Sequence, residues 1–379
     1  MAATMTRGIS GSPREQWARL IAGQDVGPMV SPLCDNWSLD IPYFWPYAEP
    51  EPFPQGHRHH ALCEQMAMAK VCGWTPSFLA GIPFTPRRPD LAAEVVSRTV
   101  GGGLMRTETC IRTEYGDLTS VMESGVSSHT VKPLLVTAED YRRMAWHVRA
   151  TADYDEAAAV AEGQVLAAAV GGRGVLGTWW GPPIASCDRD NLWYHLADWP
   201  DACADLCRAN HEAGLRKLET LRKAGFDYLF YCADGTEWLS PSFFRERVLP
   251  DTLVILRRWR ELGGFVLWHS CGKVQALIEE GFYNECLPEV FETLSEPPVG
   301  NLPSLRWARA RLDRRIVTKG NMPLNILQTG TEDEVRAAVA RIKAETRGYR
   351  HIVGLTDDVL NGTPLRNARA FVNEALRNG

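Results

Sequence analysis

The chain has 379 residues, 45% hydrophobic and 23% charged, with a formal net charge of -5. This is the composition of an ordinary globular protein, long enough for one large core or one barrel with an added N-terminal segment. The acidic balance argues against a phosphate-backbone-binding surface, so no nucleic acid is expected as partner; no run of about 18 apolar residues is present to span a bilayer.

In chain order, Met1–Gly11 is short and polar and lacks the apolar run of a signal peptide. It is read as the frayed start of an N-terminal segment covering residues 1–25. The ten cysteines are scattered without regular spacing, a poor disulfide scaffold, which predicts reduced thiols and a cytoplasmic setting. Asp35, Asn36 and Trp37 follow a first short strand. Pro42–Pro54 is a proline-rich loop, and His57, His59 and His60 beyond it read as surface residues beside Arg58. Glu108–Glu114 and Leu118–Glu123, separated by Tyr115-Gly116-Asp117, predict a β-hairpin. Thr137-Ala138-Glu139-Asp140 opens a helix.

Thereafter one pattern repeats: an apolar run, a polar tip, an amphipathic helix. The runs are Gln164–Val170, Phe226–Cys232, Gly264–Trp268, Arg315–Thr318 and His351–Leu355. Helices are expected over Trp199–Lys223, Pro241–Arg260 and Thr331–Arg347, and the last has Thr331 and Glu334 spaced as a capping box. A final helix starts at Thr363-Pro364. Alternation of strands and helices implies parallel pairing, and continuously apolar strands imply burial on both faces. The polar tips are Asp234, His269-Ser270-Cys271, Asn321 and Asp357-Asp358. A closed barrel gathers such tips at one mouth, whereas an open sheet spreads them along an edge. No glycine-rich nucleotide fingerprint follows any strand. The expected fold is therefore a (β/α)8 barrel of the TIM type with an N-terminal extension, one domain over residues 1–379.

The chemistry centres on Trp268-His269-Ser270-Cys271-Gly272. Residues two apart on a strand face the same side, so His269 and Cys271 can both point into a barrel mouth. Imidazole with thiolate suits Zn²⁺. Two ligands do not make a site, and Glu289, Asp357 and Asp358 are the acidic groups available to complete it. From the pattern alone, a buried His and a buried Cys without metal fit equally well.

The C-terminal half resembles the uroporphyrinogen decarboxylase superfamily. The matching stretches are Ala224-Gly-Phe-Asp-Tyr-Leu, Leu239-Ser-Pro-Ser-Phe-Phe running to Leu249-Pro250, His269-Ser-Cys-Gly, Lys319-Gly-Asn-Met-Pro, Leu327-Gln-Thr-Gly-Thr and Gly362-Thr-Pro-Leu-Arg-Asn367. The resemblance covers roughly residues 215–379 and implies a (β/α)8 barrel. Porphyrinogen decarboxylases carry an N-terminal Arg-Gln-Ala-Gly-Arg segment that grips carboxylates. The corresponding region here, Pro32-Leu-Cys-Asp-Asn-Trp37, has no arginine, which argues against a porphyrinogen substrate.

The His-x-Cys motif is instead similar to that of the zinc-dependent cobamide methyltransferases. Carried over, the resemblance implies metal ligands His269, Cys271, Glu289 and, six residues before Thr363, Asp357 in place of a cysteine. Cys286 is the alternative source of a second sulfur. The implied reaction moves a methyl group between a small methylated or methoxylated compound, or a thiol, and a corrinoid. The chain has no Asp-x-His-x-x-Gly cobamide motif, so the corrinoid is expected on a separate partner protein. Asp234 is a candidate catalytic base or orienting group, with a capping role as the alternative. Asp35, Trp37, Trp179, Trp180 and Asn321 are candidate substrate contacts. A homodimer is compatible with the sequence. Decarboxylation of a non-porphyrin acid, and a non-catalytic small-molecule-binding barrel, are the competing readings.

Overall fold

The computed structural model describes residues 11–34, 60–125, 128–188, 190–233, 240–360 and 362–377. By its packing the chain divides into two compact units: residues 1–81, 163–181 and 224–379 form the first, and residues 82–162 and 182–223 the second.

The first unit is built on seven parallel strands. They are β1 (Ser77–Leu79), β6 (Val175–Trp180), β7 (Tyr228–Cys232), β8 (Phe265–His269), β9 (Val290–Thr293), β10 (Val317–Met322) and β11 (His351–Leu355), hydrogen-bonded in that order. The sheet is curled. Leu79 of β1 and Ile352 of β11, at its two ends, share one buried cluster with Val175, Phe230, Leu267 and Val317. Each such side chain contributes roughly 1.5–3 kcal/mol by leaving water. Beyond β11 runs the segment Met29–Leu33. It bridges Val30 to Val353 and Leu33 to Asp358 in parallel fashion, and its Val30 carbonyl accepts from the Thr75 amide at 2.8 Å. These are single bridges, not a strand. Pro32 has no amide to donate, which prevents a continuous ladder there.

Local signals explain the elements around the sheet. Ser12 and Glu15 form a capping box for the helix Pro13–Ile21, and this helix buries Trp17, whose indole N–H reaches the Pro76 carbonyl at 3.0 Å. Thr331 and Glu334 cap the helix Glu332–Glu345 as expected. Pro364 precedes the last helix, Leu365–Leu376, which buries Phe371 and Val372. The apolar run Gln164–Val170, expected as a strand, is the end of a helix over Glu156–Val170. Its alanines favour helix, and the strand of that repeat is β6, after Gly171–Gly174. At Gly177 in β6 the Tyr228 ring occupies the space of a side chain, 2.3 Å from where a Cβ would sit.

The second unit holds an antiparallel sheet of β2 (Glu94–Thr99), β3 (Met105–Ile111), β4 (Leu118–Ser124) and β5 (Ser128–Lys132) in sequence order. The expected hairpin is its β3–β4 pair: β4 starts at Leu118 as expected, and β3 lies three residues nearer the N-terminus than the expected Glu108–Glu114. The helix Ala138–Ala150, capped by Thr137 and Asp140, packs Tyr141 and Ala145 against Cys203, Leu206 and Ala209 of the helix Pro200–Lys223. No helix among the described residues is long and apolar enough to cross a membrane.

Candidate metal centre

Alternation along the strands decides which groups reach the interior of the curled sheet. Phe265, Leu267 and His269 of β8 point inward. Across the sheet, His269 is in register with Cys232 of β7 and with Glu292 of β9, and Glu292 is in turn in register with Lys319 of β10. A thiol, an imidazole, a carboxylate and an ammonium therefore line one layer at the C-terminal ends of the strands.

His269 is 3% exposed, and its Nδ1 lies 2.7 Å from Glu292 Oε1. A carboxylate accepts, so this contact fixes a proton on Nδ1 and turns Nε2 toward the cluster, where it can ligate once its own proton is released. Nε2 faces Asp357 Oδ1 at 3.9 Å. One ligand atom from each of His269, Cys271 and Asp357 lies within 4.8 Å of the others. Asp357 follows β11 by two residues, and its Oδ1 accepts from the Asp358 amide at 2.9 Å. A nitrogen, a sulfur and an oxygen at this spacing, with the second imidazole nitrogen held by a carboxylate, match the donor set and outer support of a zinc site.

Electrostatics at this layer are tightly balanced. Glu292 is 2% exposed and also accepts from Lys319 Nζ at 2.5 Å. Burial alone would raise the Glu292 pKa, but Lys319 and His269 outweigh it and hold the carboxyl below its ordinary value. Burial likewise disfavours charge on His269, yet hydrogen bonds to Cys271 and Glu292 and the Glu292 charge prevail, lifting it to about 10. The backbone just after Glu292 is unusual. Thr293 and Leu294 have φ of 80° and 52°, the left-handed region that a β-branched threonine rarely enters. The Thr293 hydroxyl donates to the Ser270 carbonyl, which ties this turn to the His269–Cys271 segment.

The other expected residues divide into three groups. Trp179 stands beside the imidazole: its ring centroid is 6.4 Å from that of His269 and 4.5 Å from that of Phe230, and it is 39% exposed. Trp180 follows it on the strand and so faces the opposite side. Asn321 is buried, donating to the Leu294 carbonyl at 3.2 Å and to Glu296 Oε1 at 3.1 Å, and it borders a cavity of about 430 Å³ with Glu296, Arg341 and Thr356. Asp35, Trp37 and Asp234 lie outside the described residues.

Glu289 is a correction. It sits before β9, where it accepts from Arg260 Nε and from the Val266 amide, each at 2.8 Å. It thus lies at the N-terminal end of the strands, away from His269, which ends β8. Cys286 is not in the cluster either; it closes the short helix Phe282–Cys286, where burial pushes its thiol up to about 12. The acidic partner of His269 is Glu292, which the sequence reading missed together with Lys319. A signal was present: a charged residue inside the apolar runs Val290-Phe-Glu-Thr293 and Val317-Thr-Lys319 has no reason to be buried except to meet another charge.

Comparison with known proteins follows the same lines. The chain matches the uroporphyrinogen decarboxylase (URO-D) family over residues 185–377, just over half its length, and belongs to that family. Among solved structures, it is similar to a methyltransferase from Methanosarcina mazei at 13% identity and a TM-score of 0.60, covering 97% of this chain and 98% of that one. A B12-independent methionine synthase from Shewanella sp. W3-18-1 shares 11% identity at a TM-score of 0.46, covering 91% and 96% of the two chains. No curated protein sequence matches.

Proposed function

We propose that this chain is a zinc-dependent methyltransferase, moving a methyl group between a small methylated or methoxylated compound, or a thiol, and a corrinoid carried on a separate protein. The observation that carries the reading is the meeting of His269, Cys271 and Asp357 at the strand ends, backed by Glu292. The whole-length likeness to the Methanosarcina mazei methyltransferase points the same way. In this reading Met29–Leu33 serves as the eighth stave of the barrel, and Asn321 and Trp179 contact substrate.

His269 Nε2, the Cys271 thiolate and an Asp357 oxygen would hold the zinc. Bound zinc supplies Lewis acidity at a donor's heteroatom, or lowers the pKa of an incoming thiol. Glu292 holds the His269 Nδ1 proton, so that Nε2 would be the nitrogen offered to the zinc; Lys319 keeps Glu292 ionised. Trp179 and Phe230 wall the imidazole and exclude water from that side. Lys319 is already paired with Glu292, which leaves it poorly placed to grip a carboxylate substrate.

The test has two arms. Elemental analysis of purified protein should show zinc, and Cys271→Ser should lose about one equivalent per chain because a thiolate ligand is gone. The enzyme, mixed with a reduced corrinoid protein and a panel of methoxylated aromatics, methyl thiols and methylamines, should form methyl-cobamide, read by its absorbance. No methyl-cobamide from any donor, with carbon dioxide released from an acid substrate, would replace this reading by decarboxylation.

A further inference from the structure

A second group of soft ligands lies in the unit of residues 82–162 and 182–223, and the reaction above does not use it. Cys187, Cys203 and Cys207 converge from two segments. Cys203 and Cys207 are one turn apart on the helix Pro200–Lys223, so both thiols leave the same face. Cys187 ends the short turn Pro183–Ser186 and touches both: its Sγ is 3.9 Å from Cys207 Sγ, and it also contacts Cys203. Cys203 donates to the His195 carbonyl at 3.5 Å. None of the three is in a disulfide.

We propose that Cys187, Cys203 and Cys207 form a thiolate site for a thiophilic divalent cation of the zinc and cadmium class. The separation fits: two thiolates on one tetrahedral zinc, each bonded at about 2.3 Å, stand about 3.8 Å apart. The third sulfur joins by a change of rotamer about a single bond. Cys187 and Cys203 are buried, and Cys207 is half-buried, which gives an ion an approach from the surface. The surroundings are apolar, formed by Leu135, Ala202, Leu206 and Ala209. Each thiol gives up its proton as its metal–sulfur bond forms, so uptake strengthens as pH rises.

The experiment uses full-length His269→Ala/Cys271→Ser protein, in which the barrel ligands are removed, titrated with Cd²⁺. One equivalent should bind per chain, with thiolate-to-cadmium charge-transfer absorbance and a thiolate-range cadmium NMR signal. Adding Cys207→Ser should abolish both, and adding Cys110→Ser, a thiol of the neighbouring sheet, should leave both intact. Circular dichroism checks that each variant is folded; a Cys187→Ser variant gives an independent readout if Cys207→Ser is not. Absence of the charge-transfer band, its persistence in folded Cys207→Ser and Cys187→Ser proteins, or its equal loss in Cys110→Ser, overturns the site. Failure of methyl transfer leaves this result unaffected, because the titrated protein lacks two of the barrel ligands.

Discussion

The two units of the chain differ in where they place charge: both carry ion pairs at the surface, and the first also buries a row of them. In the unit of the curled parallel sheet, His269, Glu292 and Lys319 form an ionic row that is 3%, 2% and 1% exposed. In the second unit a row of ion pairs lies on one exposed face of the antiparallel sheet: Arg98 with Glu108, Arg106 with Glu108 and Glu123, Arg112 with Glu94. Register explains the segregation. Arg98, Arg106 and Glu123 are successive partners across β2, β3 and β4, so their side chains share one face, while Ser97, Thr107 and Met122 share the other. Surface pairs of this kind mainly keep a sheet soluble. A buried row costs desolvation energy that pairing only partly returns, whereas a surface pair costs little and returns little.

Breaking the buried row should produce the largest effect. Lys319→Met leaves the Glu292 carboxylate buried with one partner fewer, and we expect a loss of about 3–5 kcal/mol in denaturant unfolding. Lys319→Met combined with Glu292→Leu should recover part of that loss, because no orphan charge remains. A Lys319→Met variant as stable as the parent would show that the row is not held as described.

A smaller effect concerns pH. At the start of β11, His351 donates from Nε2 to the Gly320 carbonyl at 2.8 Å and takes the Thr318 hydroxyl at Nδ1, 2.9 Å away. Both nitrogens are satisfied only in the neutral ring. Burial lowers its pKa to about 3, against the pull of the Gly320 carbonyl. Between about pH 6.5 and 3 the unfolded chain therefore binds a proton that the folded chain refuses. Stability from this group is intact above pH 6.5 and falls with acid, by up to about 1.4 kcal/mol per pH unit. His351→Gln should flatten that part of the stability–pH curve; an unchanged slope would remove His351 as its source.

The smallest effect belongs to the second unit. Arg98→Ala on the exposed sheet should leave the melting temperature unchanged within error, at low and at high salt. A marked drop would mean that the sheet pairs are more than surface decoration, and the contrast between the units would weaken.

Part of this was readable before any coordinates. β11 coincides with the apolar run His351–Leu355, and the cap at Thr331 appears where Glu334 three residues on announced it. Both signals are local, made of a run or a fixed spacing. β9 escaped notice because it is four residues long and carries a charge in its middle. The run Gln164–Val170 misled because alanine-rich apolar sequence suits a buried helix as well as a strand.

The candidate site shows the same division. The sequence by itself placed His269 and Cys271 together at one strand end, two residues apart and within reach of one ion. It also placed Asp357 just past another strand end. Only the tertiary structure decided which acid meets the imidazole. Glu289 and Glu292 are three residues apart, which on a strand means about 10 Å along its axis and the opposite face. One carboxylate therefore reaches Arg260 at the N-terminal end of the strands, and the other reaches His269 at the C-terminal end. That choice depends on the register of β9 against β8 and β10, which is set by packing across the sheet and is not written in either residue's neighbours.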